Sequence, residues 1–152
     1  MATRTEIGLT VRSVAFSQGG NIPKHYSCDG EDVNPPLEIE GFPPETKALA
    51  IIVEDPDAPH GVFAHWLAWN IPPNEPIAEN SVPGLSGLNG FGKTGYSGPC
   101  PPSGSHRYFF KVYALDDDLD LPGGSDKKAL LEAMRGHILA SGGLTAHYKK
   151  SR

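Results

Sequence analysis

The sequence predicts a mainly β protein built from many short strands joined by turns, and three observations carry that prediction. Glycine and proline make up about 22% of the chain, where average usage gives about 12%; this excess is incompatible with a helix bundle. Apolar runs such as Ala48 to Val53 and Tyr108 to Leu115 interrupt the glycine and proline throughout, which separates the chain from disordered sequences. A convincing helical spacing of apolar residues occurs in a single segment. The 152 residues suit one domain, residues 1–152, large enough to bury roughly 70% of its unfolded surface.

In order along the chain, Ile7, Leu9 and Val11 alternate with polar neighbours, and Val14 and Phe16 follow with one change of phase. This predicts a first strand with an irregularity near Ser13. A turn-rich loop runs through Gly19, Gly20, Asn21 and Pro23, and Pro35-Pro36 sets up a short extended piece, Leu37 to Ile39. Ala48 to Val53 reads as a central strand buried on both faces, and Val62 to Ile71, with Trp66 and Trp69, as a second. Residues 83–104 hold seven glycines and four prolines, so that stretch is either an ordered loop or a liability. Tyr108 to Leu115 is an aromatic-rich strand, followed by the solvated acidic turn Asp116 to Asp120. Ser125 is expected to cap a helix beginning at Asp126. Leu130, Leu131, Met134 and Ile138 lie on one face of it, and Gly142-Gly143 is the stop. Leu144 to Lys150 either returns as a final strand or trails as a tail.

Formal net charge is −5, which leaves no electrostatic footprint for a phosphate backbone and argues against nucleic acid as a partner. Met1 to Thr10 lacks the apolar run of a signal peptide, and no stretch of about 18 apolar residues occurs, so a cytoplasmic protein without integral membrane association is expected. Cys28 and Cys100 permit one intramolecular disulfide. In a reducing cytosol two free or buried thiols are the expectation; whether the two lie close enough to respond to oxidation is not set by their spacing.

Two nucleotide motifs match by letter and fail by context. Gly87-Leu-Asn-Gly-Phe-Gly92-Lys93-Thr94 fits the P-loop pattern, and Gly90, Gly92 and Gly95 fit the dinucleotide fingerprint. Both need a helix immediately after, whose N-terminus holds the phosphates. Here Gly95-Tyr-Ser-Gly-Pro99-Cys-Pro-Pro102 follows, which cannot propagate a helix. The scattered histidines and isolated cysteines do not form a structural zinc pattern, and no Gly-x-Ser-x-Gly elbow is present. No metal and no cofactor are expected.

A constellation of polar groups sits at the ends of apolar strands: Asp55 and Asp57 after the first buried run, His65 at the start of the next, and His106 just before Tyr108. If the two runs are antiparallel neighbours, Asp55 and His65 approach one edge. His106 and Tyr108 share strand parity and so face one side. Pro56 and Pro59 stiffen the carboxylate loop. The bland alternatives are a strand end at Asp55, a turn cap at Asp57 and a satisfied core histidine.

Asp55-Pro-Asp-Ala-Pro59, His65-Trp66, and Gly98-Pro-x-Pro-Pro leading to His106-Arg-Tyr108 resemble the phosphatidylethanolamine-binding protein family, also called Raf kinase inhibitor-like proteins. Tyr26-Ser-Cys-Asp-Gly30 and Pro35-Pro-Leu37 look like its bacterial and archaeal branch. The resemblance implies a Greek-key-like β-sandwich with a large central antiparallel sheet, a smaller second sheet and one or two short helices. It also implies an anion pocket at a sheet edge that accepts phosphate or a phospholipid head group such as phosphoethanolamine. Its lining, carried over, is Asp55, Asp57, His65, Gly98, Pro99, His106 and Tyr108. Cys100 stands where animal relatives tend to have proline, and the shorter chain puts gating by a C-terminal segment in doubt. The resemblance to the bacterial branch is compatible with a homodimer and leaves the oligomeric state open.

Unpaired carboxylates repel an anion. The conflict eases if Asp55 keeps His65 or His106 protonated, or if the ligand is a zwitterion whose ammonium meets a carboxylate. The leading expectation is therefore non-enzymatic binding of small anionic or phosphorylated ligands. The alternatives are a kinase or protease inhibitor that docks through the rim at Pro99 to Pro102, and an acid–base hydrolase or metal enzyme using Asp55, Asp57, His65 and His106. No activated nucleophile is apparent for the last.

Overall fold

The computed structural model describes residues 7–150, so the expectations placed on Met1 to Glu6 lie outside the described residues. The chain forms β1 (Ile7–Gly8), β2 (Thr10–Arg12), β3 (Glu38–Glu40), β4 (Ala48–Asp55), β5 (Phe63–Ile71), β6 (Leu85–Ser86), β7 (Ser105–Leu115), α1 (Lys127–Met134) and β8 (Ile138–Lys149), with a 3-10 turn at Lys24–Tyr26. Six strands make one sheet in the order β1-β8-β7-β4-β5-β6, antiparallel throughout except for β1, which runs parallel to β8. β2 and β3 form a second, two-stranded antiparallel sheet. The expected first strand is thus divided between sheets: the chain leaves β8 after Leu9, whose amide donates to Ser141 O at 2.9 Å. The crossing is close, since a Cβ on Gly142 would stand 2.2 Å from Leu9 O.

β4 is buried along its whole length, as its continuous apolar run predicts. Leu49, Ile51 and Val53 face a core shared with Val11 of the small sheet and with Trp66, Phe110 and Val112. Ala50 and Ile52 face the other way, into a core closed by Leu119, Leu130 and Met134. Glu54 ends that second face. It accepts hydrogen bonds from Lys111 of β7 and Lys127 of α1, which ties helix to sheet. Burial alone would raise the Glu54 carboxyl, but the two ammonium groups outweigh it and hold the group below its ordinary value.

The helix corrects two expectations. Its cap is Asp126, whose carboxylate accepts from Ala129 N at 2.9 Å, while the Ser125 hydroxyl donates backward to Pro122 O. It stops at Arg135, before Gly136 with φ +82°. The apolar spacing through Ile138 continues past a break that glycine imposes in the left-handed region. Leu131, inside the helix, faces solvent, Ile138 opens β8, and Gly142-Gly143 lies inside a strand.

Candidate functional site

The antiparallel order brings the end of β4 and the starts of β5 and β7 to one edge: Asp55 pairs with Phe63, and Glu54 pairs with Phe109. Just there the β4–β5 register slips. Val53 faces Trp66 and Glu54 faces Ala64, which leaves His65 as the extra residue of a β-bulge. A bulge re-aims side chains locally. His65 thus joins the face of Trp66, Asp55 and Tyr108 rather than turning to the helix side.

These side chains line a cavity of about 160 Å³, bounded by Asp55, His65, His106 and Tyr108 and walled by Ala58, Pro59, Phe63, Phe91, Cys100, Pro101 and Pro102. Asp55 is 3% exposed, and its two carboxylate oxygens are both engaged. Oδ1 accepts the Asp57 amide at 2.7 Å and Oδ2 accepts from His106 Nδ1 at 2.6 Å. The proton shared with Asp55 sits on the Nδ1 side of His106, so Nε2 is the nitrogen left for a ligand. His65 donates from Nδ1 to Ser97 O at 2.7 Å and packs edge-on against Phe63, Phe91 and Tyr108. Burial pushes its pKa below the usual histidine value, so His65 is neutral, with Nε2 an acceptor. Tyr108 is 1% exposed, and its hydroxyl, which lies near Asp55 and the Cys100 backbone, makes no hydrogen bond of good geometry to either. Burial, reinforced by the Asp55 charge, raises its pKa, so the phenol keeps its proton.

The structure separates the sequence-derived site residues into two sets. Asp55, His65, His106 and Tyr108 meet in the cavity. Asp57 turns away: Arg107 holds it with Nε at 2.9 Å, a second guanidinium nitrogen at 2.8 Å and its backbone amide at 2.9 Å. Those bonds hold the Asp57 carboxyl well below the usual range. Gly98 and Pro99 lie behind the wall. The Gly98 amide donates to Asp32 Oδ1 at 2.7 Å, and a Cβ there would strike Tyr26 O at 2.0 Å, so the glycine serves close packing. Asp55 pairs with His106 and not with His65. Phe63 could have been inferred from its shared parity with His65 across one strand; Phe91 carries no such signal.

The expectation of free thiols is overturned, because Cys28 and Cys100 form a disulfide across 72 positions of sequence. The 3-10 turn and the loop after it bring Cys28 beside Pro99, where its amide donates to Pro99 O at 3.0 Å. The thiol expectation drawn from a reducing cytosol therefore does not hold for this pair.

The loop with the P-loop lettering is not followed by a helix. Its amides are already committed. Gly87 donates to Leu67 O, Leu88 to Ser125 O, Asn89 to Lys93 O, Gly90 to Ala64 O and Gly92 to Asn89 O, while Phe91 and Lys93 donate to the buried Asn89 side chain. With the amides of Gly87 to Lys93 engaged, no run of successive amides remains to cradle a phosphate. Among the described residues, no three His, Cys, Asp or Glu side chains are grouped as metal ligands would be, and no helix is long and apolar enough to cross a membrane.

Comparison with known proteins agrees with this architecture. A family model described as phosphatidylethanolamine-binding protein matches residues 12–149. A UPF0098 protein of Archaeoglobus fulgidus is 52% identical over 95% of this chain, which spans about half (52%) of that relative's length. A UPF0098 protein of Methanothermobacter thermautotrophicus is 47% identical, with 93% of this chain and 99% of the relative covered. Among solved structures, a phosphatidylethanolamine-binding protein homologue of Chlamydia trachomatis superposes with TM-score 0.91 at 44% identity, covering 95% of this chain and 99% of that one. YbcL of E. coli, a member of the mammalian family, superposes with TM-score 0.86 at 28% identity, covering 94% and 99%.

Proposed function

The chain belongs to the phosphatidylethanolamine-binding protein family, and from that premise we propose that its cavity binds small phosphorylated ligands without transforming them. The observation that carries this reading is the buried Tyr108 hydroxyl, left without a well-formed hydrogen bond, beside a histidine oriented by Asp55. A buried polar group without a partner costs free energy that a ligand oxygen recovers. Tyr108 donates to one phosphate oxygen, and His106, when protonated, donates from Nε2 to a second. Neutral His65 accepts from a protonated oxygen of the same group. The Asp55 charge, spent on His106 and the Asp57 amide, orients the donor more than it repels the anion.

The same geometry favours the phosphate half of a zwitterion over its ammonium. Asp55 and Asp57 both have their carboxylates occupied, so phosphoethanolamine is expected to bind within a few fold of inorganic phosphate. Two or three charge-assisted hydrogen bonds, less the cost of association, put the affinity on the order of micromolar to millimolar. The non-enzymatic part of the proposal rests on the lining, which carries no serine, threonine or free thiol to act as a nucleophile.

An NMR titration of labelled protein with phosphate, phosphoethanolamine and a short-chain phospholipid tests the reading. Saturable shifts at Asp55, His65, Cys100, His106 and Tyr108, absent in the His65→Ala/His106→Ala double variant, are expected. A variant that responds like the parent protein would show that the ligand, if bound, sits elsewhere.

A further inference from the structure

We propose that the Cys28–Cys100 disulfide is a thiol-exchange site that latches one wall of the cavity, so that its reduction weakens ligand binding; this rests on the reading of the cavity given above. Cys100 lines the cavity directly, and Pro101 and Pro102 continue the same wall. Pro101 and Pro102 have no amide proton, so this stretch cannot be pinned by backbone donors at those positions. The backbone bonds that tie it down lie at its ends, Cys28 N to Pro99 O and Lys150 N to Gly104 O, both 3.0 Å. Between them the disulfide is the covalent anchor, and the Cys100 backbone also lies against the Tyr108 hydroxyl.

Both cysteines are exposed, in contrast to the buried Tyr26 and Ser27 before Cys28 and the buried Gly98 and Pro99 before Cys100. A disulfide that only staples a core is shielded; one open to solvent can be attacked by a thiolate and falls among the labile, regulatory kind. Breaking it need not unfold the neighbourhood. Residues 26–32 and 96–99 stay joined by Gly98 N to Asp32 Oδ1, by the Tyr96 hydroxyl to Tyr26 O at 2.7 Å, and by the Cys28 amide. The part released is therefore 100–104, the rim against Tyr108 and His106.

The reaction needs a dithiol reductant, small or protein-borne. One of its thiolates attacks a cysteine sulfur and expels the other as thiolate, and its second thiol then resolves the mixed disulfide. The S–S bond takes up two electrons and two protons to give two cysteine thiols, and the reductant leaves as its own disulfide.

The test compares oxidised protein, protein reduced with dithiothreitol, and the Cys28→Ser/Cys100→Ser variant, each titrated with inorganic phosphate and followed by NMR and amide exchange. Reduced protein and variant are expected to stay folded, to bind phosphate about fivefold or more weakly, and to exchange faster at residues 100 and 103–106. Equal affinity in both redox forms would overturn the latch and leave the phosphate reading standing. A bond that survives excess dithiothreitol in the native protein, or global unfolding on reduction, would overturn it as well. If neither form binds phosphate, the cavity reading fails on its own. The latch is then judged by exchange: faster exchange at 100 and 103–106 supports it, and unchanged exchange sinks it.

Discussion

At the scale of single residues, Tyr108 separates binding from folding. Its hydroxyl is enclosed and makes no well-formed hydrogen bond, so Tyr108→Phe removes a desolvated group at little cost in native contacts. Thermal or urea unfolding should show stability unchanged or raised by up to about 1 kcal/mol. Phosphate affinity should fall about tenfold, the equivalent of about 1.4 kcal/mol. An intact affinity would show that the hydroxyl does not meet the ligand. Asp57 makes the complementary point. It shares a loop with Asp55 and looks equivalent in sequence, yet a bidentate bond to Arg107, one position after His106, turns it outward. Sequence spacing brought four cavity residues into view, but the choice between neighbouring carboxylates depended on a partner some 50 positions away.

At the scale of elements, the helix cap provides a direct comparison of two adjacent candidates. Asp126→Ala should lower stability by about 1 kcal/mol in urea titration, and Ser125→Ala should leave it nearly unchanged, because the Ser125 hydroxyl bonds only to Pro122 O. The reverse result would return the cap to Ser125. β4, β5 and β7 were legible because apolar runs of that length and composition have few alternatives. The helix end was misread because a periodic apolar series ran across Gly136, whose positive φ stops the helix whatever follows. The bulge at His65 was not legible, and of the disulfide the sequence showed only that Cys28 and Cys100 could pair. A one-residue slip leaves no compositional trace, and a bond spanning 72 positions is set by the geometry of two irregular loops.

At the scale of the whole molecule, titrating groups pull stability the same way in acid. His65 is lowered from 6.5 by burial, and Asp57 and Glu54 from 3.8 and 4.5, Asp57 by Arg107 and Glu54 by its lysines against the effect of burial. Each binds protons more readily in the unfolded chain, so each contributes stability that is full above its unfolded value and is lost as pH falls through the folded one. Unfolding midpoints in urea should decline below about pH 6.5 and more steeply below about 4.5. In alkali the sign reverses. Burial and Glu79 raise Tyr26 from 10.0 to about 12, so its contribution is full below pH 10 and is lost as pH climbs through about 12. A midpoint flat from pH 7 to 5 would show that His65 does not contribute, and one flat on to pH 3 that the two carboxylates do not.

The glycine- and proline-rich loop has a consequence beyond the cavity. β5 is bordered by only two residues of regular strand, Leu85–Ser86, and the rest of its outer carbonyls are met by scattered amides: Gly87 to Leu67, Gly90 to Ala64, Ser97 to His65. A border built this way satisfies the sheet without presenting a straight row of donors and acceptors, so a foreign strand finds no template to extend. The loop is a guard against edge-to-edge aggregation, and damage to it opens the sheet to neighbouring molecules.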